Sequence, residues 1–199
     1  MNFKFMTDGE FPNEELKTYF EELEKDLERA ESLYWKKPQQ CGIMLRSIAE
    51  KICRFYNEHY EIGFGKDSSL EEFLCYRDDD EHNVLVSRFL SMVRKEQRDR
   101  LNKLRVIGDD CIWGEDGPDR GMEINHRMAQ DAGKMMDTMI EIIKDMCHKL
   151  AGRNDLDQIF FYEDDVPDYS ETEERFPGAG PAKEPEKKKS FLARLLLGE

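Results

Sequence analysis

The stretch NEELKTYFEELEKDLERAESLYWKKP, residues 13–38, decides the fold class. Leu16, Phe20, Leu23, Leu27, Ala30 and Tyr34 recur at alternating spacings of four and three. That spacing sets all six on one face of a helix and leaves Glu, Lys, Asp and Arg on the outer face. Asn13 is placed to cap the first turn, where Glu14 and Glu15 suit the positive pole of the helix. The break at Lys36-Lys37-Pro38 ends it, and Pro38 suits the first position of the next helix.

The same periodicity continues along the chain. Cys41, Leu45, Ile48, Ile52 and Phe55, with Met44 and Ala49, form the inner stripe of a second helix that Gly63 and Gly65 end. Ser68 and Glu71 have the spacing of a capping box for a short helix with Leu70, Phe73 and Leu74. Beyond the acidic cluster Asp78–Glu81, the residues Val84, Leu85, Phe89, Met92 and Val93 are apolar at helical spacing. The charged run Arg94–Arg100 reads as a solvated turn of helix or a break. Gly108, Gly114, Gly117 and Pro118 mark a loop around Trp113. Ile124, Met128, Ala132, Met135, Met139, Ile142, Met146 and Leu150 define a last long helix, stopped at Gly152. Met136 lies off that stripe and would be its docking residue if the methionines form a plastic surface.

No useful strand-type alternation appears before residue 156, so the expected fold is all-α: an antiparallel helical bundle over residues 13–152, after a lead-in of residues 1–12. Residues 153–186 change character. Between Asp155 and Arg175 nine acidic residues stand against one basic one, and Gly178, Gly180, Pro181 and Pro185 follow. This reads as an acidic, disordered linker. It leads to a basic-apolar terminal peptide, residues 187–199, with Lys187-Lys188-Lys189 ahead of SFLARLLLG.

The chain of 199 residues carries a net charge of −14. That balance repels nucleic-acid backbones and anionic membranes, so neither is the default partner. Five scattered cysteines include no Cys-x-x-Cys pair, which argues against a structural zinc site and for small apolar side chains in a reducing compartment. No metal site and no cofactor are expected, because no phosphate loop, nucleophile elbow or dinucleotide fingerprint is present. No segment approaches the ~20 apolar residues that span a bilayer, and no secretory leader is evident, so the expected location is the cytoplasm.

Two blocks carry a resemblance. The first is Ala30-Glu31-Ser32-Leu33-Tyr34-Trp35, Pro38, and Met44-Leu45-Arg46-Ser47-Ile48-Ala49-Glu50-Lys51-Ile52-Cys53. The second is Leu104-Arg105-Val106-Ile107-Gly108-Asp109-Asp110-Cys111-Ile112-Trp113. Together they resemble a HEPN-like helical domain of unknown function that is also found fused in type I restriction enzyme R subunits. The usual second block runs Leu-Arg-x-x-Gly-Asn-x-Ala-x-His. Here Asp109, Cys111 and Trp113 stand where Asn, Ala and His are usual. The resemblance covers about residues 16–150 and implies a domain that often dimerises. Its active members cut RNA without a metal, using an Arg and a His four to six residues later.

Arg46 and Arg105 occupy the two arginine positions that the resemblance implies. They line a phosphate-binding cleft, or they pair with Glu50, Asp109 or Asp110 and fasten helices; the acidic neighbours favour pairing. Trp113 in place of His favours packing or binding over catalysis. Literal Arg-x-His pairs occur at Arg54/His59, Arg77/His82 and Arg120/His126, and their number shows how little the spacing decides. Arg120/His126 is the best placed, so Arg105 or Arg120 with His126 are the catalytic candidates of the less favoured reading, a metal-independent endoribonuclease. The favoured expectation is a non-catalytic adaptor. Its binding residues would be Arg46, Arg105 and Trp113 in the helical domain and Phe191, Leu192, Arg194, Leu195 and Leu196 in the terminal peptide. A homodimer and a protein partner for the peptide are expected, RNA is the less favoured partner, and membrane docking is disfavoured. A third reading is an acidic antagonist that mimics nucleic acid through residues 155–174.

Overall fold

The computed structural model describes residues 3–34, 36–113, 121–153 and 156, with side chains at 3–34, 36–112, 127–153 and 156. The chain divides into two units, Met1–Pro167 and Asp168–Glu199, and all described residues belong to the first. They form a short 3-10 helix, Phe3–Met6, and six α-helices: α1 Glu14–Tyr34, α2 Pro38–His59, α3 Leu70–Leu74, α4 Asp80–Met92, α5 Lys95–Trp113 and α6 Gly121–Ala151. No strand occurs among the described residues.

Pair contacts fix the helix directions. Tyr19 stacks on Phe55 at 4.0 Å, while Lys51 reaches Glu22 and Asp26 at 3.2 and 3.0 Å. Position numbers fall on α2 as they rise on α1, so the two run antiparallel. Arg46 meets Asp109, and Gln39 donates to the Cys111 carbonyl, which sets α5 antiparallel to α2. Arg94 with Asp145, Gln97 with the Ile142 carbonyl and Arg100 with Glu141 set α6 antiparallel to α5. The frame is an antiparallel bundle of α1, α2, α5 and α6, with α3 and α4 as an excursion between its second and third long members.

The α1 stripe is realised in full: Leu16, Phe20, Leu23, Leu27, Ala30 and Tyr34 are all buried. Asn13 Oδ1 accepts the Leu16 N–H at 2.8 Å, satisfying one of the free donors of the first turn. Burial works against the charge of Lys51, but its hydrogen bonds to Asp26 and Glu22 outweigh that and raise its pKa. Pro38 opens α2 as expected. The N-terminal lead-in is itself part of the core, since Phe3 and Met6 are fully buried. Arg153 holds it from the other end of the domain by donating to the Phe5 carbonyl.

Several local expectations are corrected. The capping box sits one residue later, at Ser69 and Glu72. Both Ser-x-x-Glu registers exist in the sequence, but Ser68 is buried, with its N–H on Gly65 and its carbonyl accepting from Arg54. The Ser69 N–H, opposed by desolvation and aided by Arg77, holds the Glu72 carboxyl below its usual range. Helix α2 stops at His59, before Gly63 and Gly65. The Asn57 side chain bonds Gly63 N–H, Phe64 N–H and the Phe64 carbonyl, and so takes over the role of the expected glycine stop.

On α4 the inward residues are Val86 and Phe89, whereas Val84 and Met92 are 66% and 40% exposed. The helix is rolled relative to the expected stripe. The Arg94–Arg100 run is both things at once: the chain breaks at Val93–Arg94, and Lys95 begins α5. Gly108 lies inside α5 and not in a loop. Met136 is fully buried like Met135 and Met139, because α6 packs against both α2 and α5 and needs a wide apolar face. The docking role for Met136 is thereby withdrawn. Gly152 stops α6 with φ +67°, a conformation that glycine adopts without a Cβ penalty. The linker and terminal peptide beyond Leu156 lie outside the described residues.

No helix among the described residues is long and apolar enough to cross a membrane. Helix α5 lies close on α2 at Gly108. A Cβ added at Gly108 would lie 2.6, 2.8 and 2.9 Å from Cβ, Cδ and Cγ of Arg46. Alanine is worth about 1 kcal/mol over glycine within a helix. Overpacking costs about 1–3 kcal/mol, and the Arg46 Cβ is fixed to its own backbone and cannot swing aside. Gly108→Ala is therefore expected to lower the urea midpoint despite its better helix propensity. A raised midpoint would mean that α2 can step back freely.

Candidate functional site

Arg46 on α2 and Arg105 on α5 meet at one carboxylate. Arg46 Nε donates to Asp109 Oδ1 at 2.8 Å, and Arg105 Nη1 to Asp109 Oδ2 at 3.3 Å. Arg46 Nη1 also donates to Glu50 Oε1 at 2.8 Å. Glu50 in turn accepts the Leu70 N–H at 3.2 Å and faces Arg54 at 3.6 Å. Arg105 Nε reaches Asn102 at 3.1 Å. One network thus joins α2, α5 and the start of α3.

The local sequence dictates this placement. Arg46 and Glu50 are one turn apart on α2, as Arg105 and Asp109 are on α5, so each pair shares a face. Gly108 removes the side chain that would hold α2 away, and the Arg46 stem lies across it. Each Asp109 oxygen is held by an arginine from a different helix, the role a phosphate plays between two arginines. The pairing alternative is therefore realised, with Glu50 and Asp109 as partners; the neighbouring Asp110 points outward. The four side chains keep 15–30% of their exposure, so the network lies at the lip of the α2–α5 seam and is not sealed in the core.

The other sequence-derived candidates fall as follows. Trp113 is the last residue of α5 and His126 lies within α6, but their side chains are outside the described set. Arg120 and the peptide residues Phe191, Leu192, Arg194, Leu195 and Leu196 are also outside it. Arg54 is tied to Glu50 and Ser68, and His59 stacks on Phe55 at 5.4 Å. Arg77 pairs with Glu72, and the His82 ring bonds the Cys75 carbonyl. Both literal pairs are thus held in local structural contacts. Among the described residues no group of three His, Cys, Asp or Glu side chains could hold a metal.

Sequence reasoning missed the partners that complete this site. Leu70, whose N–H caps the network, comes from an element with no relation to α2 in the sequence. Gly42 is a second close-contact glycine: a Cβ there would lie 2.6 Å from Cys111 Sγ. A buried polar centre was missed too. Gln97 is almost fully buried, donates its Nε2–H to the Ile142 carbonyl and interacts with the Tyr56 side chain. Gln97 sits inside the charged run Arg94–Arg100, and only Val93 and Leu101, one helical turn away on either side, hinted at its burial.

Asp109→Ala should destabilise the fold by about 1–2 kcal/mol, a loss of charge-assisted hydrogen bonds discounted for partial exposure. Asp110→Ala should stay within about 0.5 kcal/mol. Equal effects in denaturant melts would remove Asp109 from its fastening role. The thiols give a second check. Burial pushes Cys41 up to about 12 and Cys111 up to about 11, and pushes Cys53 up further. A raised folded-state pKa favours the neutral thiol, so its stabilisation is present below the unfolded thiol value of about 8.5. It is lost as pH climbs toward 11–12. A thiol reagent at pH 8 should label Cys75 quickly and the four buried cysteines only on unfolding. Rapid labelling of Cys41 or Cys111 in the native protein would contradict this.

No family model, no curated protein and no solved structure matches this chain, so the HEPN-like resemblance rests on its two sequence blocks alone.

Proposed function

We propose that this protein is a non-catalytic HEPN-like adaptor. Its helical domain dimerises or docks, and its terminal peptide, residues 187–199, recruits a protein partner. The setting we propose, on the resemblance alone, is a bacterial or phage defence or nucleic-acid-processing system in the cytoplasm. The observation that carries the non-catalytic part is the closure of Arg46 and Arg105 on Asp109. Arg46, held by Asp109 and Glu50, and Arg105, held by Asp109 and Asn102, are poorly placed to grip a substrate phosphate. The replacement of His by Trp113 at the end of the same block removes the proton-handling group of the active pattern.

Docking through the seam is supported by its apolar lip. Ile43, Val106 and Ile112 are 37%, 45% and 38% exposed. Each lies three positions from Arg46 or Asp109 on its own helix, hence beside the network. Apolar surface around a satisfied polar centre suits a protein contact better than a polyanion.

The test is light scattering of the full chain across a concentration series, for the native sequence and Val106→Glu, together with metal-free incubation with RNA. A dimer that Val106→Glu converts to monomer is the expected result, with RNA left intact. Cleavage lost in His126→Ala would put the endoribonuclease first. Loss of a specific protein partner on deleting residues 187–199 is expected for the recruiting peptide, and unchanged partner binding would remove that role.

A further inference from the structure

The large apolar side chains that stand exposed among the described residues fall into two groups. Ile43, Val106 and Ile112 belong to the seam, whereas Tyr76, Val84 and Met92, at 60%, 66% and 40% exposure, gather along α4. Tyr76 joins α4 through its hydroxyl, 3.4 Å from Ser87 Oγ. Phe89 anchors the opposite face of the helix on Phe64 and Phe73. The stretch Asn83–Val93 holds one charged residue, Arg88, in a chain that is 37% charged. An exposed, charge-poor helix face in such a chain marks a surface that meets another protein.

The charges on this face indicate what covers it. Asp80, Val84 and Arg88 follow one another at steps of four, so they form a single row along α4, and all three are exposed. Among the described residues Asp80 has no hydrogen-bonded or ionic side-chain partner, and Arg88 donates to the Ile62 carbonyl at 3.3 Å without meeting a carboxylate. Eight residues set the two about 12 Å apart along the axis, too far to pair within one helix. An identical row run in the opposite direction removes that distance. A two-fold axis at Val84 sets Val84 on its own copy and brings Asp80 of each helix beside Arg88 of the other. Rows with this four-residue step are the ones that interdigitate in the commonest helix packing. A parallel copy would stack the two acidic Asp78–Glu81 clusters, which the reversed one keeps about 12 Å apart, beyond the screening length of ~10 Å at 0.1 M salt.

We propose that α4 is a self-complementary face that receives α4 of a second copy of this chain antiparallel, centred on Val84 and closed by two Asp80–Arg88 pairs. The face shares no residue with the α2–α5 seam and does not rest on the adaptor reading. One helix per copy buries less than the roughly 1,200 Å² of total surface that a standard interface needs. The contact is therefore weak and forms at high protein concentration, where it joins single chains or seam dimers alike.

The experiment is analytical ultracentrifugation of the full chain over a concentration series, with Val106→Glu in every sample to silence the seam. Asp80→Arg and Arg88→Asp should each weaken self-association about tenfold, the combined effect of two exposed ion pairs turned repulsive. Mixed in equal amounts, the two variants restore both pairs, one copy supplying two arginines and the other two aspartates, and should associate as tightly as their parent. Association regained by mixing two chains that do not associate alone cannot come from misfolding, so the mixture decides the matter even if one variant is less stable. A parent that stays monomeric throughout, single reversals without effect, or a mixture no tighter than its components would overturn the face. The seam dimer is judged on Val106→Glu against the native sequence at low concentration, so the two readings fail separately.

Discussion

The close approach of α2 to α5 is the constraint on which the rest of the described structure depends. Two glycines, Gly42 and Gly108, permit it, one on each helix, and each lies against a side chain of the other helix. At that separation the stem of Arg46 can cross Gly108 and deliver its guanidinium to Asp109. A Cβ at Gly108 would meet the fixed Arg46 Cβ and push the helices apart, whereas one at Gly42 would meet the Cys111 Sγ. Steric permission comes first, and the charge network follows from it.

That network gives the seam a polar lock with directionality that apolar packing lacks. Hydrophobic burial is roughly proportional to area and tolerates sliding, whereas an arginine on each oxygen of one carboxylate tolerates little. Glu50 extends the lock to the N–H of Leu70, so the short α3 excursion is registered on the long helices. The buried Gln97 plays a similar part near the start of α5, where its amide fixes α5 against the Ile142 carbonyl of α6. Each polar contact fixes a register that the surrounding Leu, Ile and Met side chains leave open.

The two charge networks differ in how legible they were. Arg46 and Arg105 stood out because they fall in blocks with recognisable spacing, and the neighbouring Asp109 and Glu50 announced their neutralisation. The ion pairs between α5 and α6 had no such announcement. Arg100, Glu141, Lys144 and Arg153 are ordinary surface residue types in a chain rich in charge, and only the antiparallel packing of α5 on α6 brings them together. Charge in sequence records composition, while charge in space records where helices cross.

Sequence by itself determined the helices and most of their inner faces. A period near 3.6 over twenty residues is redundant, as the six buried residues of α1 illustrate. It also determined caps where one residue alone could serve, as at Asn13. Tertiary structure decided every case in which the sequence offered two equivalent answers. Ser68 and Ser69 both satisfy the capping spacing, and the burial of Ser68 chose between them. Val84 and Val86 are equally apolar, and the docking of α4 chose Val86. Gly108 reads as a turn residue in sequence and becomes a helix–helix contact in space, because a missing side chain can serve either backbone freedom or close approach. Local pattern fixes the periodicity of a helix, and only its neighbours fix which side of it is inside.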